Sequence, residues 1–318
     1  MKFEPGTESG KANLEVFSET LMSLAKNDRN VLVVTSDSRG SGKLAPFAAA
    51  YPDQIVEVGI AEQNLVGISA GLASTGKIVY AVSPACFLTA RALEQIKNDV
   101  CYSDHPVKLI GISAGVSYGA LGSTHHSTHD LAVLRAINNI VIIVPADNFE
   151  TEQVIRTAAI MPHPVYIRFG KRPMYHLHNP RTKFEVGKSI TIRQGSDVTF
   201  IATGETVYHA LMAAKLLDKQ GLSARVISMH TVKPLDTEAI MQAASDTEGI
   251  VTVEEHSVLG GLGEACASVL LGAGISIPFK IVGLPDEYTV TGSQVEIFDH
   301  YGISAQGLAE TAGKLLNL

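Results

Sequence analysis

The sequence predicts two α/β domains, each doubly wound around a mainly parallel sheet, and three observations carry that expectation. Short β-branched runs alternate with longer amphipathic stretches along the chain, as parallel strands joined by right-handed helical crossovers require. The composition holds 28 Gly, no Trp and only 6% aromatic residues, which suits many strand-to-helix turns better than a β-sandwich. The 318 residues are about two domains' worth at roughly 150 residues each.

Taken in order, the chain opens on a helix in which Leu14, Phe17, Leu21 and Leu24 recur at spacings of three and four and place one stripe against a core. Apolar runs then predict strands over 31–35, 55–58, 78–82, 107–112, 140–144 and 165–168. Residues 170–182 (GKRPMYHLHNPRT) carry turn formers, charges and two prolines without periodicity, and read as the start of a linker. A second α/β series follows, with strands over 198–202, 224–228, 250–254 and 279–282 and helices after Gly204 and Gly261. The expected division is residues 1–185 and 186–318. No short-period repeat or low-complexity segment interrupts it, which argues against a solenoid.

The 25 Lys and Arg against 32 Asp and Glu give a net charge of -7 with no basic run, so the footprint of a nucleic-acid binder is absent. Residues 1–15 are polar, and no window holds the roughly 18 apolar residues that cross a bilayer. A cytoplasmic protein without a membrane partner is expected. Cys86, Cys101 and Cys266 are odd in number and lack C-x-x-C spacing, which points to buried thiols rather than a disulfide frame or a zinc site.

Four segments can carry chemistry. Glu62 follows an apolar strand and opens a helix of small residues. It stands at the sheet edge where ligands bind, and apolar neighbours there favour a neutral carboxyl, although a helix-starting Glu stabilised by the dipole is the plain alternative. Phe87 with Arg91 four residues on offers an aromatic platform beside a charge, or else a core Phe with an intrahelical Arg contact. Residues 111–130 form a long Gly- and Ser-rich loop loaded with His125, His126 and His129. Long ordered loops of this kind usually serve function, and substrate contact fits it better than a metal site built on His125 and His129. Arg168 ends a strand, where a guanidinium can hold a phosphate, whereas Lys171 and Arg172 read as solvated linker charges. The Gly260–Glu264 stretch does not spell a dinucleotide loop and reads as turn and close packing.

Taken together, GIAEQN at 59–64, CFLTARALEQIKND at 86–99, GSTHHSTHD at 122–130, VPADNFET at 144–151, DVTFIATGETVYHAL at 197–211 and VTVEEHSVLGGLGEA at 251–265 resemble transketolase. The match is to its pyrimidine-binding and C-terminal domains, in the form of the small subunit of split transketolases. The resemblance implies a thiamine diphosphate enzyme that moves a two-carbon ketol unit from a ketose phosphate to an aldose acceptor. Glu62 matches the Glu that donates to the aminopyrimidine N1′, favouring the imino tautomer that removes the thiazolium C2 proton. Phe87 matches the aromatic that stacks on the pyrimidine, and Arg91 an Arg of the shorter members. His125 matches the substrate-contacting His, Arg168 the Arg that binds the sugar phosphate, and Asp37 and Ser38 the block lining the entrance for cofactor and substrate.

Where the family has a second His and an acidic residue, this chain has Ser113 and Leu121, so the set that reads hydroxyls is altered. His126 and His129 are then expected to take over those contacts. Pentose phosphates are the default sugars, with room left for an unusual one such as apulose 4-phosphate. The family's Gly-Asp-Gly motif for diphosphate and Mg²⁺ is absent from all 318 residues. A separately encoded subunit carrying that motif is therefore the expected partner, with a homodimer of this chain inside a heterotetramer. A 2-oxo acid dehydrogenase β subunit is the alternative within the cofactor class. Deoxyxylulose-phosphate synthase is disfavoured because its chain carries all domains, and a non-catalytic paralogue is the alternative outside it.

Overall fold

A computed structural model describes residues 3–317. The first half contributes β1 (Ser9–Ala12), α1 (Asn13–Ala25), β2 (Val31–Thr35), α2 (Ala45–Ala50), β3 (Ile55–Glu57), α3 (Glu62–Ser74), β4 (Ile78–Pro84), α4 (Ala85–Arg91) and α5 (Leu93–Gln95), which runs into a π-helical turn over Ile96–Tyr102. It continues with β5 (Lys108–Ile112), α6 (Asp130–Arg135), β6 (Val141–Ile143), α7 (Asn148–Ile160), β7 (Val165–Arg168) and β8 (Pro173–Tyr175). The second half adds β9 (Ile190–Arg193), β10 (Val198–Ala202), α8 (Thr206–Asp218), β11 (Ala224–Ser228), β12 (Thr231–Lys233) and α9 (Thr237–Asp246). It ends with β13 (Gly249–Ser257), α10 (Leu262–Gly272), β14 (Phe279–Leu284), α11 (Gln294–His300) and α12 (Ala305–Leu315).

Seven strands in the order β12-β6-β7-β5-β4-β2-β3 form the larger sheet, parallel except at β12, and five in the order β14-β13-β10-β11-β9 form the smaller, parallel except at β9. Side chains alternate across the pleat, and both faces are covered by helices. In β4, Val79 and Ala81 enter the core under α3 and the π turn, while Tyr80 and Val82 enter the core under α1 and α7. The small α3 residues Ala70 and Ala73 let that helix lie close on its sheet.

Four short antiparallel strands escape the sequence reading. β1 and β8 pair as a ribbon, β9 edges the second sheet, and β12 crosses from the second half to pair with β6. Segments of three or four residues carry too little period to announce themselves, and β8 starts on Pro173. The expected linker therefore holds structure, and its buried end is a junction of charges. His178 lies with Nδ1 3.0 Å from Asp147 Oδ2 and Nε2 3.1 Å from Glu150 Oε1, all three side chains cut off from water. Asp147 caps α7 through the Glu150 N–H and also accepts from the Leu177 N–H, while Glu150 accepts from the Ser228 hydroxyl of β11. One charge knot thus joins the linker, α7 and the second sheet.

Burial alone would lower the His178 imidazole, but the two carboxylates outweigh it and raise it to about 10. Burial alone would raise Glu150, but His178 outweighs it and lowers the carboxyl to about 2. The stability that His178 lends is complete below its ordinary pKa of about 6.5 and is lost as pH rises through about 10. That of Glu150 is present above about 4.5 and is lost as pH falls through about 2. Replacing His178 with Leu leaves two buried carboxylates unpaired and should cost about 3–5 kcal/mol. The readout is the denaturant midpoint at pH 7, and an unchanged midpoint would contradict the buried ion pair.

Candidate active site

Parallel strands point the same way, so their carboxyl ends deliver chemistry to one edge. The reversal of strand order lies at β2, with β3 on one side and β4 on the other. Glu62 opens α3 after β3, Phe87 and Arg91 sit on α4 after β4, and the histidine segment follows β5.

There they make one continuous line of contacts. Glu62, 4% exposed, accepts a hydrogen bond from Arg91 Nη1 at 2.9 Å. The Arg91 guanidinium lies 4.3 Å from the centre of the Phe87 ring, a cation–π contact. Phe87 meets the His125 ring edge-on at 5.4 Å, and His125 meets Tyr118 edge-on at the same distance. Lys171 Nζ stands 4.6 Å over the Tyr118 ring. The expectation of a carboxyl among apolar neighbours alone is thus corrected, since Glu62 is paired with a cation. The linker charge Lys171 joins the site instead of standing in bulk water.

Phe87, Arg91, Thr124 and His129 also line a cleft of about 800 Å³ whose far wall is Asp286 to Thr289 from the second half. The histidine segment is loop up to Asp130, so His125 and His129 do not share a helix face as an i, i+4 metal pair would. Thr124 Oγ1 engages His125 Nδ1 at 3.0 Å and leaves Nε2 free of that bond. His126 is buried and has no nitrogen to spare. Its Nε2–H donates to the Gly119 carbonyl at 2.9 Å, and its Nδ1 accepts from the Thr289 hydroxyl at 2.5 Å. Burial lowers its pKa, in keeping with that neutral tautomer. His126 lines the cleft together with His129 but has both ring nitrogens engaged within the fold, so it serves as an anchor of the loop.

Arg168 is placed elsewhere than expected. Its guanidinium is buried and committed: Nε donates to Asp130 Oδ2 at 2.8 Å, and Nη2 to the carbonyls of Ser127 and Glu255 at 3.1 and 2.8 Å. Tyr166 donates to the same Asp130 oxygen at 2.7 Å. Burial works against the charge on Arg168, but Asp130 and Glu255 hold the guanidinium above its ordinary value. For Asp130, Arg168 outweighs burial and lowers the carboxyl. A phosphate at Nε or Nη2 would have to displace these partners. Ser38 likewise turns inward, donating to the Ser36 carbonyl at 2.8 Å, and Asp37 stands exposed beyond β2, outside the cleft lining.

Gly261 and Gly263 do serve close packing. The N–H groups of Leu262 and Gly263, at the start of α10, are taken by Glu254 at 2.7 and 2.8 Å, where a dinucleotide phosphate would otherwise bind. The residues that sequence reasoning missed are Tyr118, Lys171 and Thr289. An aromatic inside a loop of Gly and Ser was the available signal for Tyr118; Thr289 had none.

The two α/β units carry this line of side chains past the carboxyl edge of the larger sheet. Residues 10–175 match the transketolase pyrimidine binding domain and residues 187–308 the transketolase C-terminal domain. The chain is 48% identical to an apulose-4-phosphate transketolase subunit of Phocaeicola vulgatus, over 93% of this chain and 95% of that protein. It is 33% identical to a 6-deoxy-6-sulfo-D-fructose transketolase subunit of a Clostridium species, over 94% of this chain and 92% of that one. A solved split-gene transketolase, described as an inactive beta4 tetramer, superposes with a TM-score of 0.87 at 37% identity, over 97% of this chain and 99% of that one. The chain belongs to the transketolase family and is a subunit of a transketolase-type transferase.

Asp130→Ala should lower stability by about 3–5 kcal/mol, because it strands the buried Arg168 charge. Lys171→Ala, at an exposed position, should stay within about 0.5 kcal/mol of the parent. Equal denaturant midpoints for the two variants would contradict the burial of Arg168.

Proposed function

We propose that this chain supplies the aminopyrimidine side of a thiamine diphosphate site and the substrate cleft of a heteromeric transketolase, working with a separate subunit that binds the diphosphate and Mg²⁺. The observation that carries the reading is the contact line Glu62, Arg91, Phe87, His125, Tyr118, Lys171 along one edge of the sheet. A buried carboxyl with a guanidinium and an adjacent aromatic ring fit a planar heterocycle that needs one hydrogen-bonding edge and one apolar face. The donor set for a diphosphate–metal unit is not built here, since the Gly-Asp-Gly motif is missing from the sequence and, among the described residues, no three His, Cys, Asp or Glu gather to hold an ion.

Thiamine diphosphate supplies the electron sink for breaking a carbon–carbon bond beside a ketose carbonyl. Glu62 presents the hydrogen-bonding carboxyl to the ring, Arg91 orients that carboxyl, and Phe87 offers the apolar contact surface. His125, with Nδ1 engaged by Thr124, offers Nε2 to a substrate oxygen. Lys171 is a further cation available for the anionic end of the sugar, beside Arg168, whose Nε and Nη2 are already engaged by partners within the fold.

The two relatives differ in sugar, yet apulose 4-phosphate and 6-deoxy-6-sulfo-D-fructose both carry an anionic group, and that shared feature supports a ketose bearing a phosphate or sulfonate at its far end. His129 and the acidic wall at Asp286 and Glu287 then face the hydroxyls. Large apolar side chains left in water, Ile60 beside Glu62 and Tyr288 on the cleft wall, support burial by other chains: a homodimer of this subunit and the partner, two of each. The relative described as an inactive tetramer is consistent with inactivity in the partner's absence.

Titration of thiamine diphosphate and Mg²⁺ should give tight binding only when the partner subunit is present; tight Mg²⁺-dependent binding to the chain alone would refute the divided site. In the reconstituted complex, Glu62→Ala should slow C2 proton exchange of the cofactor by roughly a hundredfold to ten-thousandfold. Lys171→Ala should raise KM for a phosphorylated ketose far more than for its unphosphorylated counterpart, and equal effects would remove Lys171 from the anion site.

A further inference from the structure

We propose that Glu255, joined through Gln294 to Glu205, is a positioning residue that sets two substrate-facing parts of the contact line, the His125 loop and the Lys171 turn, without touching substrate itself. The proposal rests on the reading that His125 and Lys171 meet the sugar.

Glu255 lies on β13 in the second half, 4% exposed. Its Oε1 accepts from the Val116 N–H at 2.8 Å, at the start of the histidine segment. The neighbouring Gly115, at φ +60°, passes so close that a Cβ there would stand 2.2 Å from the Glu255 carboxyl carbon. The carboxyl therefore supports the root of the loop that carries His125. Gln294 Nε2 donates to the same Glu255 oxygen and to Glu205 Oε2, both at 2.8 Å. Glu205 in turn sits under Gly170, where an added Cβ would stand 1.6 Å from its Oε1, and Gly170 leads directly into Lys171. One amide thus ties two carboxyls, one at the root of the His125 loop and one against Gly170 before Lys171.

The charges facing Glu255 are Glu205 before α8 and Arg168 on β7, while Arg172 faces Glu205. Arg168 gives its Nη2 to the Glu255 carbonyl and none of its N–H groups to the carboxyl. Burial, and then the like charge of Glu205, push Glu255 up to about 8, and burial raises Glu205 as well. At neutral pH Glu255 holds its proton. The stability it lends is full below its ordinary value of about 4.5 and is lost as pH rises through about 8, when a second negative charge faces Glu205 across the amide. Above that pH the His125 loop and the Lys171 turn should loosen together.

The test uses the complex with the partner subunit and two readouts. Glu255→Gln cannot ionise but keeps an acceptor for Val116 and Gln294. It should leave kcat/KM at pH 7 close to the parent and abolish the parent's fall around pH 8. Glu255→Ala should lower kcat/KM by about tenfold to a hundredfold at every pH, the usual scale for a small misplacement of substrate-binding groups. Gln294→Met should do the same if the Ala variant fails to fold. Independently of turnover, deuterium uptake over residues 113–129, corrected for intrinsic pH dependence, should rise between pH 7 and 9 in the parent and not in Glu255→Gln. Identical uptake profiles for the two proteins would overturn the proposal. Uptake that responds as expected beside an unaltered pH profile of kcat/KM would uphold the clamp and refute the reading of His125 and Lys171 as substrate contacts.

Discussion

Asp130 and Arg168 form an ion pair from which water is almost entirely excluded, and the arrangement of the cleft depends on it. Moving two such charges out of water costs several kcal/mol each, offset only when the geometry is good and the remaining donors and acceptors are satisfied. Here the guanidinium meets a carboxylate from the start of α6 and two carbonyls, one in the histidine segment and one on β13, while the Tyr166 hydroxyl donates to the same carboxylate oxygen. Four stretches of chain are drawn to a single point. A long Gly- and Ser-rich loop with little apolar content of its own would otherwise have small reason to hold one conformation.

The second half of the chain takes part in that constraint and does more than flank the first domain. Thr289 binds His126 and Ser123, the Ser257 N–H binds the Thr128 carbonyl, and Ala132 donates to His256, whose burial lowers it to about 4 so that the imidazole stays neutral and can accept. The loop that carries His125 therefore hangs between two domains. A pyrimidine-binding domain alone would hold Glu62, Phe87 and Arg91 but leave the histidine loop without its anchors at Glu255, Ser257 and Thr289. The His178 knot, on the side of α7, gives the same two halves a second fastening.

The contact line is polarised along its length. Glu62 and Arg91 stand at one end of the contact line and Lys171 at the other, with aromatic rings between, while Asp286 and Glu287 form a separate acidic wall. A sugar with one anionic end and several hydroxyls suits such a surface, because each kind of group finds a matching partner without burying an unpaired charge.

How much could be read beforehand follows from how local each feature is. The parallel strands of both sheets were legible because an apolar run bounded by turn formers is a local property, and Glu62, Phe87, Arg91 and His125 were legible because each lies in a motif just past such a run. The ribbon of β1 and β8 and the crossing of β12 were not, since three or four residues carry no period and their partners lie far along the chain. The same distance decided the fate of the cations. Arg168 ends a strand just where a phosphate-binding Arg would, but Asp130, 38 residues earlier, and the β13 backbone claim it, while Lys171 finds an aromatic face in the loop. The sequence by itself determined the two α/β units and the sheet edge past which Glu62, Phe87 and Arg91 stand. Only the tertiary structure decided which charges are free to meet a substrate, because whether an ion is committed depends on the desolvated partners that folding brings to it.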